Sequence, residues 1–423
     1  MESLRLVVRV VVKTYLPPVG YFLQPRRLQK RDDKRIETIE NYTRYTYMNE
    51  NKRVRVAITH GDTNGVGYEL IFKTFSEPDM LELCTPIIYG SPKVATYHRN
   101  ALEMEANFTI IKDASEAKEG RLNLLPVFDE EIKVELGVAS EESGKAGLKA
   151  VDKALEDYRQ GLFDVLVTAP IDNNDKFHFS GQSRYIEDHL ETEGNGLSIF
   201  IHEGLRVALA TRNLPLRQVA DSISKESIED KTKALFQRLR RDFRISCPRI
   251  AILGLNPKAG DNGLLGSEEE EIIMPAINEL VEKEIQVFGP YAADTFFSNG
   301  DYQEFDGVLA MYYEQGLSPF RTLSDFQGIN YTSGMSLVRT AAEIPNSLAI
   351  AGQGVANEQA FRHAIYLAID IFRNRAEYDE ALVHPLPKLY KEKRDESDKV
   401  RFAIPHKRED RTPHNERHEE KRG

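Results

Sequence analysis

The sequence predicts an α/β protein built on a mostly parallel sheet, and three observations predict it. Short apolar runs of strand length recur along the chain. Longer stretches with apolar residues at helical spacing separate them. A content of 41% hydrophobic and 29% charged residues over 423 positions is that of a globular chain with a sizeable core. Apolar runs that alternate with amphipathic helices favour parallel strands covered by helices.

The strand candidates, in order, are VRVAITH, TPIIYG, FDVLVTAP, LSIFIHE, RVALAT, RIAILGLNP, IQVFGP and GVLAMYY. The helix candidates are GKAGLKAVDKALEDYRQG, KESIEDKTKALFQRLRRDF, SEEEEIIMPAINELVEKE and NEQAFRHAIYLAIDIFRNR. Core-like periodicity therefore runs from about Arg53 to about Phe372. Residues 1–51 read as an N-terminal extension, disordered or upstream of a true start at Met48. Residues 390–423 are dense in charge of both signs and poor in apolar residues, so they read as a disordered tail.

Composition also excludes partners. A net charge of −11 argues against nucleic acid, whose phosphates need clustered Lys and Arg. No apolar run is long enough to span a bilayer, and Arg5 and Arg9 interrupt the nearest candidate, Leu4 to Val12. Cytoplasmic residence is expected. Cys84 and Cys247 lie in apolar segments as small core side chains and build neither a disulfide framework nor a cysteine metal site.

In open α/β sheets ligands bind beyond the carboxyl ends of strands, so chemistry is sought after each apolar run. The first run leads into His60-Gly61-Asp62-Thr63-Asn64-Gly65-Val66-Gly67, a glycine-rich turn that is neither a Walker loop nor a dinucleotide fingerprint. Later runs lead to Gln182, Ser183 and Arg184, to Arg212 and Asn213, to Lys258, to Glu314, and then to Arg321, Asn330 and Arg339.

Taken in order, HGDTNGVGYE, TAPI, SGQSRYIE, ATRNLPLR, LGLNPKAGDNGLLGSEE, GPYAADTFF, AMYYEQGL, GINYTSG and LVRT resemble the motif series of the 4-hydroxythreonine-4-phosphate dehydrogenases. The resemblance covers about Arg53 to Phe372. It implies a fold similar to isocitrate and isopropylmalate dehydrogenases, with two α/β/α subdomains, 52–175 plus 349–375 and 176–348. It also implies a homodimer whose active site lies in the cleft at the dimer interface. The reaction implied is oxidation of 4-phosphooxy-L-threonine by NAD, then decarboxylation, on the route to pyridoxine 5'-phosphate, with a divalent metal (Zn, Mg or Co) held by three histidines as Lewis acid.

Carried over residue by residue, the resemblance assigns substrate binding to Gln182, Ser183, Arg321, Asn330 and Arg339, catalytic roles to Lys258, Asp294 and Glu314, and cofactor contacts to Asn346 and Gly352. The three metal positions fall on Asn213, Lys258 and Tyr313, none of them a histidine. An amide binds a metal weakly and an ammonium repels one, so loss of the metal is expected. A displaced site would have to use His60 or His178. The substrate pair that the family writes as His-Thr is Gln182-Ser183 here. The nucleotide turn reads Glu343-Ile344-Pro345-Asn346, where proline cannot donate an amide. Two readings stay open: a dehydrogenase in which Lys258 partly replaces the metal, and a non-catalytic homologue that binds a phosphorylated ligand or pairs with an active relative. A third, phosphotransacetylase-like acyl transfer, has no motif behind it beyond the fold.

Overall fold

The structure, a computed structural model, describes residues 53–128, 131–171, 181–190, 192–344 and 347–383. The two expected tails, His178 and Asn346 lie outside the described residues. The chain divides at Asn374 and Arg375, and the first unit holds the whole sheet. Strands β1 Val54–Thr59, β2 Cys84–Gly90, β3 Thr109–Ile110, β4 Asn123–Pro126, β5 Val165–Thr168, β6 Thr192–His202, β7 Leu205–Leu209, β8 Ile250–Leu253, β9 Val287–Tyr291, β10 Gly307–Ala310, β11 Ile329–Met335 and β12 Val338–Ala342 form it. Their order is β3-β4-β2-β1-β5-β12-β11-β6-β7-β10-β8-β9. The helices are α1 Gly67–Phe75, α2 Pro78–Leu83, α3 Pro92–Ala101, α4 Glu141–Arg159, α5 Gln182–His189, α6 Leu216–Ser222, α7 Lys225–Arg241, α8 Met274–Glu282, α9 Ala293–Ser298, α10 Tyr313–Ser324 and α11 Gln359–Val383.

All eight expected strands form, and so do the four expected helices. Strands β2, β5, β8 and β10 are buried along their whole length, as strands covered on both faces must be. The sequence reading missed β3, β4, β11 and β12. It also missed the antiparallel middle of the sheet, where β12, β11, β6 and β7 run in alternating directions between two parallel flanks. The cause is local: His202 pairs with Leu205 across a two-residue turn, and only Ser336 and Leu337 separate β11 from β12. Connections that short can join only antiparallel neighbours. Strand β12, from the expected second subdomain, pairs in parallel with β5 of the expected first, and one sheet spans both.

Caps fix the helices that flank the site. Ser224 and Ser227 form a reciprocal capping box at the start of α7. The expected helix at 267–284 opens with a π-helical turn, Glu269–Ile273, before α8. Glu269, 3% exposed, turns its carboxylate back onto the amides of Leu255 and Asn256, both at 2.7 Å, and so pins the loop after β8.

The glycine-rich turn after β1 is packed tightly. A Cβ on Gly67 would lie 1.8 Å from the carbonyl oxygen of His60, whereas one on Gly204 would meet nothing within 4 Å. Gly67→Ala is therefore expected to cost more than about 2 kcal/mol in urea unfolding and Gly204→Ala less than about 0.5 kcal/mol. Equal effects of the two substitutions would contradict this packing.

Candidate functional site

Strand periodicity builds one polar row across the middle of the sheet. Arg339 on β12 stands opposite Thr332 on β11, and Thr332 stands opposite Ser198 on β6. Directly opposed residues point to the same face, so all three share one side. Asn330 lies two residues from Thr332 and joins that side. Tyr331, between them, turns the other way and its hydroxyl donates to Asp242.

Arg339 is the centre of the row. It is 3% exposed, and its guanidinium is held entirely by hydroxyl and amide oxygens. Nη1 donates to Ser183 Oγ and Thr332 Oγ1, both at 3.0 Å, and to Asn330 Oδ1 at 3.4 Å. Nη2 donates to Thr168 Oγ1 at 2.5 Å and Gln182 Oε1 at 3.4 Å, and Nε has no partner. Among the described residues no carboxylate lies within ion-pair distance of it. Burial lowers its pKa to about 10, against the opposing charges of Glu343 and Glu187, so it remains a cation at neutral pH.

Gln182 and Ser183 open α5, and the Gln182 amide donates to the Ala169 carbonyl at 2.8 Å, which ties that helix to the end of β5. Beside them opens a pocket of about 550 Å³, lined among others by Gln182, Ser183, Arg212, Lys231, Asn330 and Glu343. Arg212 donates to Ser198 Oγ at 2.6 Å and pairs with Glu187 at 3.0 Å. Arg321, on α10, is engaged within the chain: it pairs with Glu343 at 3.0 Å and donates to the Tyr313 hydroxyl at 3.3 Å.

Asn213 and Tyr313 also line the 550 Å³ pocket, and with Glu314 they line a small crevice next to it. Lys258 and Asp294 line a second pocket of about 820 Å³, with Leu255, Phe297, Tyr312 and Leu323. One chain thus brings Gln182, Ser183, Asn330 and Arg339 together, and sets Lys258 and Asp294 in a different pocket from Glu314. Lys258 is exposed and left-handed, with φ of 53°. Gly352, at φ of 78°, lies in a turn against Leu136. Sequence reading passed over Thr168, Thr332, Ser198 and Lys231. Thr168 and Thr332 lie inside the TAPI and GINYTSG motifs but are small strand residues with no chemistry of their own to mark them, Ser198 lies in an apolar strand run, and Lys231 sits in a charged helical stretch that reads as a solvated face.

The glycine-rich turn uses its own polar groups. The Asn64 side chain donates to Val138 at 2.8 Å and accepts from the Glu135 amide at 2.9 Å. His60 is fully buried, its ring stacked 5.3 Å from Tyr68. Among the described residues no group of three His, Cys, Asp or Glu side chains is placed to hold a metal ion.

Burial, reinforced by the nearby His98, lowers the pKa of His60 to about 3 from an ordinary value near 6.5. Between those values the unfolded chain binds a proton that the folded chain refuses, so stability falls as pH drops from 6.5 toward 3. This group contributes up to about 1.4 kcal/mol per pH unit to the slope. Urea unfolding at pH 7, 5.5 and 4.5 should show a shallower pH dependence for His60→Leu than for the parent. Parallel dependences would mean that the imidazole titrates normally in the folded protein.

Comparison with known proteins adds to this geometry. The family model described as "Pyridoxal phosphate biosynthetic protein PdxA" matches residues 82–368. A 4-hydroxythreonine-4-phosphate dehydrogenase of Bacteroides thetaiotaomicron is 53% identical over 359 residues, which is 84% of this chain and 98% of that protein. One from Prosthecochloris aestuarii is 36% identical, covering 75% and 97%. The crystal structure of 4-hydroxythreonine-4-phosphate dehydrogenase from Klebsiella pneumoniae superposes with a TM-score of 0.64 at 27% identity, covering 76% of this chain and 98% of that one.

Proposed function

The chain belongs to the pyridoxal phosphate biosynthetic protein PdxA family, and from that premise we propose that it binds a small phosphate ester of the 4-hydroxythreonine-4-phosphate kind and oxidises it with NAD. The observation that carries the phosphate-ester part is Arg339. An unpaired buried guanidinium is costly, and a phosphate is the group whose geometry it matches with two parallel bonds. Ser183, Thr332 and Asn330 already converge on it and supply hydroxyl and amide groups to the remaining phosphate oxygens. Glu343 serves as the internal counter-charge that Arg321 holds until a ligand anion arrives.

NAD, when bound, accepts the hydride. This chain's own residues orient the ester, through Arg339 and Arg321, and hold its phosphate away from water. The protein is taken here to be a homodimer, as the resemblance implies.

A divalent metal does not fit the positions that the family pattern assigns to it. Asn213 offers one neutral amide oxygen, Lys258 a repelling ammonium, and Tyr313 a phenol oxygen that already accepts from Arg321. That misfit favours a second reading, in which the protein keeps the ligand but no longer transfers hydride.

One pair of measurements separates the readings. In the first, the purified protein forms NADH from 4-phosphooxy-L-threonine and NAD at a rate comparable to its relatives. In the second, it forms none, yet millimolar 4-phosphooxy-L-threonine still raises the thermal midpoint by several degrees. Under both, Arg339→Met should weaken binding of the ester at least 30-fold, as expected when a buried cation that anchors an anion is removed. An unchanged affinity in Arg339→Met would overturn the phosphate site itself.

A further inference from the structure

We infer that Lys231 forms a second anion subsite in the pocket beside Arg339, so that the ligand carries a carboxylate at the end away from its phosphate. This rests on the phosphate reading above and adds a specificity-determining residue to it. Lys231 lies on α7, two residues from Glu229 and so about 200° around the helix from it. On the Glu229 side every lysine is matched: Lys225, Lys233 and Lys283 pair with Glu229 or Glu279. Lys231 faces the sheet instead. Its side chain lines the 550 Å³ pocket, and among the described residues its hydrogen bond is to the Gly196 carbonyl at 3.2 Å.

Among the described residues no carboxylate lies within ion-pair distance of Lys231. Of the nearby acids, Glu187 is already committed to Arg212, and Asp230 is exposed to solvent. Burial and the charge of Arg212 push the Lys231 pKa down, against the opposing charges of Glu187 and Asp230. Arg184, on the same wall, is exposed and has Asp188 beside it at 3.9 Å. Among the described residues Lys231 is thus the lining cation with no carboxylate at ion-pair distance, and the Ser222 hydroxyl shares its lining. A single ammonium matches a singly charged carboxylate, whereas a phosphate suits the forked donor at Arg339. A volume of 550 Å³ accommodates a short acid with both groups.

Isothermal titration of the full chain with 3-phosphoglycerate and with glycerol 3-phosphate tests this, because the two differ in a carboxylate against a hydroxymethyl group. The unsubstituted protein should bind 3-phosphoglycerate about tenfold more tightly. Lys231→Met should abolish that preference while weakening glycerol 3-phosphate less than threefold, and Lys231→Arg should keep the preference. Lys231→Gln provides the same readout should the methionine variant unfold, with circular dichroism reporting the fold. A preference that survives in Lys231→Met, or an equal loss for both ligands, overturns the inference. Binding of glycerol 3-phosphate with no gain from the carboxylate removes the Lys231 subsite and leaves the phosphate site standing. Binding of neither ligand removes both.

Discussion

A buried guanidinium with no carboxylate at ion-pair distance among the described residues is the constraint around which this site is arranged. Arg339 cannot shed its proton at neutral pH, and a buried cation with only neutral partners is costly. The fold answers by surrounding it with oxygen acceptors from three elements: Thr168 at the end of β5, Thr332 and Asn330 across the hairpin on β11, and Gln182 and Ser183 at the start of α5. Those acceptors hold the side chain in place but supply no negative charge. In the proposed reading an anionic ligand supplies it, and the phosphate site then falls where the sheet changes from parallel to antiparallel.

The same sheet geometry explains what could and could not be read in advance. Strands buried on both faces announce themselves as apolar runs, and TPIIYG, FDVLVTAP and GVLAMYY were legible for that reason. β11 and β12, INYTSGM and VRTAA, were not, because one face of each is given to Asn330, Thr332 and Arg339. The residues that make the site are the residues that erase the strand signal. β3 and β4 are short, and β4 ends at Pro126, so neither carries a periodicity that stands out from a loop.

Of the candidate site, the motif series pointed to Gln182, Ser183, Asn330 and Arg339, whose side chains meet in the fold. It could not show that Arg321 is already held by Glu343, because that pair joins α10 to the segment after β12 across 22 positions. Nor could it single out Lys231, since on α7 the lysines that pair with acids and the one that faces the pocket differ only in their angle around the helix. Sequence spacing records that angle, but only the packing of α7 against the sheet shows which side is buried.

A crystal structure of the protein with 4-phosphooxy-L-threonine would test the central claim most directly. The account predicts phosphate oxygens within hydrogen-bond distance of both Nη1 and Nη2 of Arg339, with Ser183 Oγ turned onto the same group. A phosphate bound elsewhere, with Arg339 still satisfied only by Thr168, Thr332 and their neighbours, would contradict it.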